Sequence, residues 1–482
     1  MISAEAAFSR VTVNTRKFDT KVQHLKFQVL RDVAKNAWNA TLVENITEIP
    51  MQIAPGNTPT TRCCVYKERA ILGQRVKLAI GGHKANPNII EVIDIACDEC
   101  PVGGYEVTNA CRGCLAHRCE NVCPKGAISF DRSQKAFIDK NKCIECGKCA
   151  AACQFQAILN FKRPCELACK VDAISMSETK AASIDNNKCT ACGACSYICP
   201  FGAISEKSFI LDAIDIIKKS DFGKKNNVYA VLAPAFASQF NYAKRGQLIS
   251  GIRKLGFTHV TEAAVGADIV AANEAKELEE KGVLTSSCCP AFVTYIRQEF
   301  PELLEYVSHN PSPMIAAGEL IKKNDPDAKV IFVGPCTAKK DELNIGDNKR
   351  VIDAVITFEE LYALFRSRDI SIAELEESDL DSVASPYGRS FGRTGGLSEA
   401  VAQALKESGS DFEVKPVVCN GIEECRKALL MLKKGVLKGN FIEGMACVGG
   451  CVSGAGCLTH YDKSAEALDA FGRESEKKTI SE

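Results

Sequence analysis

Histidine is scarce in this sequence, with six in 482 residues, and there is a single tryptophan. So few imidazoles argue against metal centres built on histidine, such as three-histidine zinc sites. An excess of charge is also missing, since sixty Lys and Arg balance sixty Asp and Glu. The overall balance therefore calls for neither nucleic acid nor a membrane surface as a partner. No window approaches the roughly 18 apolar residues of a spanning helix. The opening MISAEAAFSRVTVNTRKF lacks the apolar stretch of a secretory signal, so a cytoplasmic protein is expected. No Walker sequence and no G-x-G-x-x-G after a strand is found, so nucleotide binding has no motif to rest on.

Cysteine, by contrast, is abundant at 26 residues. Disulfides are rare in a reducing compartment, which leaves thiolate-rich metal centres, iron-sulfur clusters or zinc, as the expected use. Eighteen cysteines lie between Cys63 and Cys199, followed by 88 residues, Pro200 to Ser287, with none. That gap marks a boundary. The length suits roughly three domains, and the expected division is a largely helical region over 1–95, ferredoxin-like units over 96–160 and 161–207, and a larger domain over 208–482. KVQHLKFQVLRDVAKNAWNATLVENI shows helical spacing and reads as a cap packed on the next domain. The adjacent Cys63 and Cys64 complete no spacing pattern and are expected to be buried thiols.

Two runs, CIECGKCAAACQFQAI from Cys143 and CTACGACSYICPFGAI from Cys189, have the C-x2-C-x2-C-x3-C spacing of bacterial ferredoxins. In that pattern three thiolates wrap one 4Fe-4S cube and the fourth cysteine ligates its neighbour. An upstream half, CRGCLAHRCENVCPKGAI, completes the first pair. One cluster then takes Cys111, Cys114, Cys119 and Cys153, and the other Cys143, Cys146, Cys149 and Cys123. The second upstream half, CELACKVDAI, supplies only Cys165 and Cys169. A third cluster takes Cys189, Cys192, Cys195 and Cys169. A fourth takes Cys165 and Cys199 with Cys97 and Cys100 from ACDECPVGGY; the alternative is three accessory clusters, with Cys97 and Cys100 structural. Such a series conducts electrons and performs no bond chemistry, so chemistry is expected downstream.

From about Ser208, apolar runs such as VYAVLAP and AKVIFVGP alternate with helical stretches, the pattern of an α/β domain. Three loops there carry cysteine: SSCCPAF, VGPCTAKKDEL and EGMACVGGCVSGAGC. These loops resemble the three signature motifs of the FeFe hydrogenases, in the same order. The resemblance covers roughly Asn227 to Tyr461 and includes PELLEYVS, TFEELYALF and FGRTGGLSEA. It implies an α/β catalytic domain holding the H-cluster, a 4Fe-4S cube joined through a cysteine sulfur to a two-iron unit with carbon monoxide, cyanide and a bridging dithiolate. Carried over motif by motif, Cys289, Cys336, Cys447 and Cys451 hold the cube and Cys451 bridges. Pro234, Lys339 and Met445 contact the two-iron unit.

The resemblance also separates the two adjacent thiols. Cys288 becomes a proton donor beside the open iron, continued outward by Glu274, Ser308 and Glu277. A thiol suits this role because its ordinary pKa lies near working pH. Electrons are expected from ferredoxin or flavodoxin, and cofactor-maturation proteins as further partners. The reading is reversible formation of H2 from protons and electrons. Alternatives are a hydrogen-sensing or redox-signalling protein on the same cofactor, and a hydrogenase-like iron-sulfur assembly protein, which is expected to lose the cofactor-side cysteines. Four residues depart from the family pattern and are expected to line the cofactor pocket: Ala235 in place of serine, Gly334 of methionine, Met314 of glutamine and Phe292 of tryptophan. Cys419, Cys425 and Cys457 match no ligand position.

Overall fold

In the computed structural model, residues 18–481 are described, apart from residues 99 and 102; the share of the helical expectation falling on 1–17 lies outside them. The spacing in KVQHLKFQVLRDVAKNAW produces α1, Lys21–Trp38, whose start is capped by the Thr20 hydroxyl accepting the Gln23 N–H. Its buried face, Phe27, Leu30, Val33 and Ala34, meets α2, Val65–Ala79. The same face meets α3, Ile210–Lys219, and α8, Phe358–Ser367, both from the C-terminal half. The helical region is thus more than a cap on the cysteine-rich region, because it completes the largest hydrophobic core of the molecule.

The cysteine-rich region contains a pair of small units, one nested within the other. Strand β1, Ile90–Val92, pairs antiparallel with β8, Ile204–Glu206. Between them β2, Gly104–Val107, pairs with β5, Ile158–Phe161, and β3, Ile128–Phe130, with β4, Ala136–Ile138. A further hairpin joins β6, Ile174–Met176, and β7, Ala182–Ile184. Residues 90–100 therefore fold with 162–206, and the segment 104–161 is inserted between them.

Two parallel sheets build the C-terminal half. One has the order β10-β9-β12-β13, with β9 at Val228–Leu232, β10 at His259–Glu262, β12 at Lys329–Gly334 and β13 at Ala354–Thr357. The other has the order β11-β15-β14, with β11 at Leu284–Thr285, β14 at Pro416–Asn420 and β15 at Phe441–Met445. VYAVL and KVIFVG are continuous apolar runs because strands covered on both faces have no wet side. The covering helices include α4, Arg245–Leu255, α5, Ala263–Lys281, α6, Pro290–Glu299, and α7, Pro313–Asn324. Further along the chain come α9, Gly396–Glu407, α10, Ile422–Lys433, and α11, Ser464–Arg473. Helices α5 and α7 pack so closely that a Cβ on Gly266 would lie 2.1 Å from the Pro313 carbonyl oxygen. The architecture is an α/β catalytic domain preceded by ferredoxin-like units and a helical segment, as the motifs led us to expect, but the expected boundaries at 95 and 160 do not hold: the two units are nested, because β1, from the region expected to be helical, pairs with β8 of the second unit.

Buried ion pairs tie these three regions together. The Lys26 ammonium of α1 bonds Glu206 of β8 and Glu359 of α8. Lys340, with no exposed surface, donates to Glu360 at 2.9 Å and to the Lys207 carbonyl at 2.8 Å.

Candidate active site

Strands β9, β11, β12 and β15 all end at one cavity, so the loops at the carboxyl ends of two parallel sheets form its wall, the usual place for a ligand in such sheets. The cavity measures about 680 Å3 and is lined by Pro234 and Ala235 after β9, Cys288 and Cys289 after β11, Cys336 after β12, and Met445 and Cys451 at and after β15. The loop SSCCP takes its shape from Pro290, which starts α6 at its first position and leaves Cys289 extended at the N-cap. Lys339 enters from the short helix Ala338–Glu342; its ammonium donates to Glu342 at 2.8 Å and to the Cys288 carbonyl at 3.3 Å. Burial alone would lower the pKa of Lys339, but the Glu342 carboxylate raises it, so a charged ammonium faces an otherwise apolar cavity.

Of the four family departures, Ala235 and Met314 line the cavity, whereas Gly334 and Phe292 stand outside the lining set. A Cβ at Gly334 would lie 2.6 Å from the Phe332 ring, and it is this ring that forms the wall. Phe292, fully buried, packs instead over Gly444 of β15, where a Cβ would meet its ring at 2.1 Å.

The four thiols of the three loops are crowded, and the Lys339 ammonium offsets only part of the effect at Cys336 and Cys451. Burial, and then the neighbouring Cys289 and Cys451, push the Cys336 thiol up to about 12, and burial and Cys289 push Cys451 up to about 11. Burial and Cys336 also raise Cys447 well above its ordinary value. Thiols crowded in this way, three of them raised by burial and by their neighbours, are a donor set completed by cations, which convert them to thiolates. Among the described residues no group of His, Cys, Asp and Glu converges on a single ion. A cube fits these thiols better, since each sulfur then takes a separate iron. An anionic two-iron unit fits the cavity beside them, facing the Lys339 ammonium.

Behind Cys288 lies a line of polar groups. Burial and the Glu274 carboxylate raise the Cys288 pKa well above its ordinary value. Glu274 has no exposed surface; burial pushes it up to about 7, partly offset by the Ser287 N–H, which it accepts at 3.1 Å. Its Oε2 is buried without a partner. Farther out, Ser308 donates to Glu277 at 2.9 Å. Burial acts to raise Glu277, but Lys281 at 2.8 Å, Ser308 and the His309 N–H outweigh it and hold the carboxylate anionic. Exposure rises along this line, from 0% at Glu274 to 5% at Ser308, 12% for the Glu277 side chain and 78% for that of His309. Ser287, Lys281, Asn310 and Phe332 were not singled out from sequence. Only Ser287 had a signal, its place in the SSCCP motif.

The accessory cysteines lie in the two small units. After burial, Cys119 is raised by Cys114 and Cys153, and Cys149 by Cys143 and Cys123. Cys111 and Cys146 belong to the same inserted unit, where Cys111 packs in the common core and Cys146 is exposed. Cys97, Cys165 and Cys199 share another core with Cys195, and Cys199 raises both Cys97 and Cys100. Cys192 is raised by Cys189 and Cys169. This last loop sits on the catalytic loops: the Thr337 hydroxyl donates to the Ala191 carbonyl at 2.6 Å. Gly193, at φ +78°, has room for no Cβ, which would lie 2.6 Å from both Ala455 and Thr337. Cys419 and Cys425 are buried away from the cavity, against Phe292 and Tyr295. Cys457 is buried with its thiol directed to the Val452 carbonyl at 3.3 Å. Cys63 and Cys64 are exposed, contrary to the expectation of buried thiols, because they lead into the N-terminus of α2, where Cys64 is the N-cap.

A protein-family match described as iron only hydrogenase large subunit, C-terminal domain, spans residues 226–455. A 4Fe-4S dicluster domain matches 110–157 and a 4Fe-4S binding domain 182–205. Iron hydrogenase 1 of Clostridium pasteurianum is 31% identical over 403 residues, covering 72% of this chain and 69% of the relative. The chain belongs to the iron-only hydrogenase family. As a family member it is an iron-sulfur protein with 4Fe-4S domains and a hydrogenase-type catalytic domain. Cytosolic iron-sulfur assembly component 3 of Mus musculus is a more distant relative, 24% identical over 309 residues, covering 54% of this chain and 61% of that protein. The solved structure of an FeFe-hydrogenase from Chlamydomonas reinhardtii is 23% identical, with a TM-score of 0.47 over 56% of this chain and 90% of that one. No helix among the described residues is long and apolar enough to cross a membrane.

Proposed function

We propose that this iron-only hydrogenase family member catalyses the reversible reaction of two protons and two electrons to H2. The observation that carries the reading is the cavity that sets Cys288 and Lys339 beside the cube ligands Cys289, Cys336 and Cys451. When bound, the H-cluster supplies an iron with an open position at which protons and electrons meet. Cys289, Cys336, Cys447 and Cys451 would hold its cube, and Pro234, Lys339 and Met445 would enclose the two-iron unit, with the ammonium matched to anionic ligands. Cys288 gives and regains the proton at its sulfur. Glu274, neutral or charged near pH 7, exchanges it with Ser308, and Glu277 passes it to solvent.

Electrons reach the cube through four accessory clusters: Cys111, Cys114, Cys119 and Cys153; Cys143, Cys146, Cys149 and Cys123; Cys97, Cys100, Cys165 and Cys199; and Cys189, Cys192, Cys195 and Cys169. The last is next to the cube, because its loop rests on Thr337 and Ala455. The first two belong to the inserted unit, where ferredoxin or flavodoxin docks. The protein works in the cytoplasm after maturation proteins have loaded the cofactor. An iron-sulfur assembly role is the competing reading, since an assembly component is among the relatives. The presence of both Cys288 and Cys451 in the cavity favours catalysis. An infrared spectrum of the matured protein tests the choice. Bands of iron-bound carbon monoxide and cyanide are expected, and their absence from a fully iron-loaded protein would leave the assembly reading.

A further inference from the structure

Buried arginine surrounds the segments that carry Cys97, Cys100, Cys165 and Cys199. Arg163, only 1% exposed, precedes the short helix Pro164–Ala168 that holds Cys165. Its guanidinium donates to the Pro101 carbonyl at 2.9 Å, one residue after Cys100, and to the Lys180 carbonyl at 2.6 Å, while its Nη1 is buried with no partner. Arg75 of α2, 6% exposed, donates to the Phe201 carbonyl at 3.3 Å, two residues after Cys199, and its Nε is also buried with no partner. A Cβ on the next residue of that loop, Gly202, would lie 2.4 Å from the Arg75 Nη2. Arg62 donates to the Ala96 carbonyl at 3.2 Å, directly before Cys97. Three guanidiniums are thus each bonded to a carbonyl within two residues of one of these cysteines.

A guanidinium stripped of water is costly unless an anion faces it. Among the described residues neither Arg75 nor Arg163 pairs with a carboxylate, and Arg62 meets only Asp98, at 3.8 Å, which Lys67 also holds. The other acidic groups on these segments are Asp94, exposed, and Glu166, which accepts the Arg163 backbone N–H at 3.4 Å. Burial pushes Arg75 down to about 10, so it is still charged at neutral pH; the Cys199 sulfur acts to raise it and Arg62 to lower it further. Arg163 in turn draws Cys97 and Cys100 down against the burial that raises them. The other cysteines of the same unit have no such cations: the charges acting on Cys189 are those of Cys169 and the Asp341 carboxylate, both raising it. Amide–sulfur bonds do not distinguish the two sets, since Ala203 donates to Cys199 and Ala173 to Cys169, each at 3.2 Å.

Four thiolates outweigh the charge of a 4Fe-4S core, so a cluster bound here is an anion that gains one more negative charge on reduction. Fixed cations stabilise the reduced form most and so raise the reduction potential. We propose that Arg75 and Arg163, with Arg62, are the counter-charge of a cluster at Cys97, Cys100, Cys165 and Cys199 and make it the more easily reduced of the two clusters in its unit. An electron taken from the donor then waits there, and not at the Cys189 cluster beside the catalytic loops. The inference rests on the reading that these four cysteines hold a cluster, and it accounts for two arginines buried without carboxylates.

Potentiometric titration of the iron-loaded full chain, followed by electron paramagnetic resonance of the reduced clusters, measures this directly. The two signals are assigned by their loss in Cys97→Ser/Cys100→Ser and in Cys189→Ser/Cys192→Ser. The first should appear at the higher potential. Arg163→Gln should lower the equilibrium constant for its reduction at least tenfold, a shift of about 59 mV for one electron, and Arg163→Lys should restore most of it. Arg62→Gln should shift it the same way by less, since Asp98 already offsets part of that charge, and it keeps the test open if Arg163→Gln does not fold. Arg350→Gln, an exposed arginine outside these segments, should change nothing. Equal or reversed order of the two signals, or an unmoved potential in both Arg163→Gln and Arg62→Gln, would overturn the counter-charge role while the cluster itself stands. If Cys97→Ser/Cys100→Ser keeps its iron and every signal, the reading of a cluster at these cysteines falls, and the inference falls with it.

Discussion

At the scale of the residue, Glu274 makes the plainest pH prediction. Its folded pKa, about 7, lies above the ordinary 4.5, so the folded protein binds this proton more tightly than the unfolded chain does. Stability is therefore fullest at acid pH and falls as pH rises through the window from about 4.5 to 7, by about 3 kcal/mol for this group. Glu274→Gln should flatten that stretch of the stability curve in denaturant titrations at several pH values. The same variant should lower hydrogen turnover by about 100-fold, the usual weight of a lost proton-transfer group. An unchanged rate would place the relay elsewhere. At this scale the meeting of Cys288, Cys289, Cys336 and Cys451 at one cavity was legible because motif spacing carried it. Phe332 was not, since its role follows from which strand ends meet, and Ser287 was passed over although it stands in the SSCCP motif. Phe332 is two residues before Gly334, and its ring occupies the space over that glycine in the same strand. The expectation that Gly334 and Phe292 line the pocket failed for the same reason: position in a motif does not say which way a ring turns.

Among elements, the degenerate ferredoxin run shows how far spacing reaches. Cys97 and Cys100 could be paired with Cys165 and Cys199 as a hypothesis. The pairing of β1 with β8 is what brings the two segments into one unit, and its partners are too far apart in sequence for local pattern to reveal. Replacing Cys97 and Cys100 by serine should cost about four irons per chain, measured by metal analysis against the parent, if they hold a 4Fe-4S cluster. Unchanged iron would return these cysteines to a structural role. Gly193→Ala tests the contact between the last accessory loop and the catalytic loops. Its Cβ would have to displace Thr337 and Ala455. We expect parental iron content but a lower ratio of ferredoxin-linked to small-donor turnover, because the two clusters are pushed apart. Equal ratios would show that electrons bypass this contact.

For the whole molecule, composition suggested a wire and an enzyme in series, separable at the cysteine-free stretch. The fold joins them more closely, since α1 completes the core of the catalytic half and Lys26 lies between Glu206 and Glu359. Lys26→Met should leave two mostly buried carboxylates without a cation and cost roughly 3 kcal/mol, read from the thermal or denaturant midpoint. For the same reason a fragment starting near Lys207 should be markedly less stable than the full chain. The measurement that bears most directly on the whole account is hydrogen turnover by matured protein carrying Cys288→Ala, with cofactor load checked by its infrared bands. Cys288 is assigned no iron, so full bands and an orders-of-magnitude loss of turnover relative to the parent are predicted. Parental turnover at full load, or a parent that makes no hydrogen at all with its cofactor in place, would contradict the account.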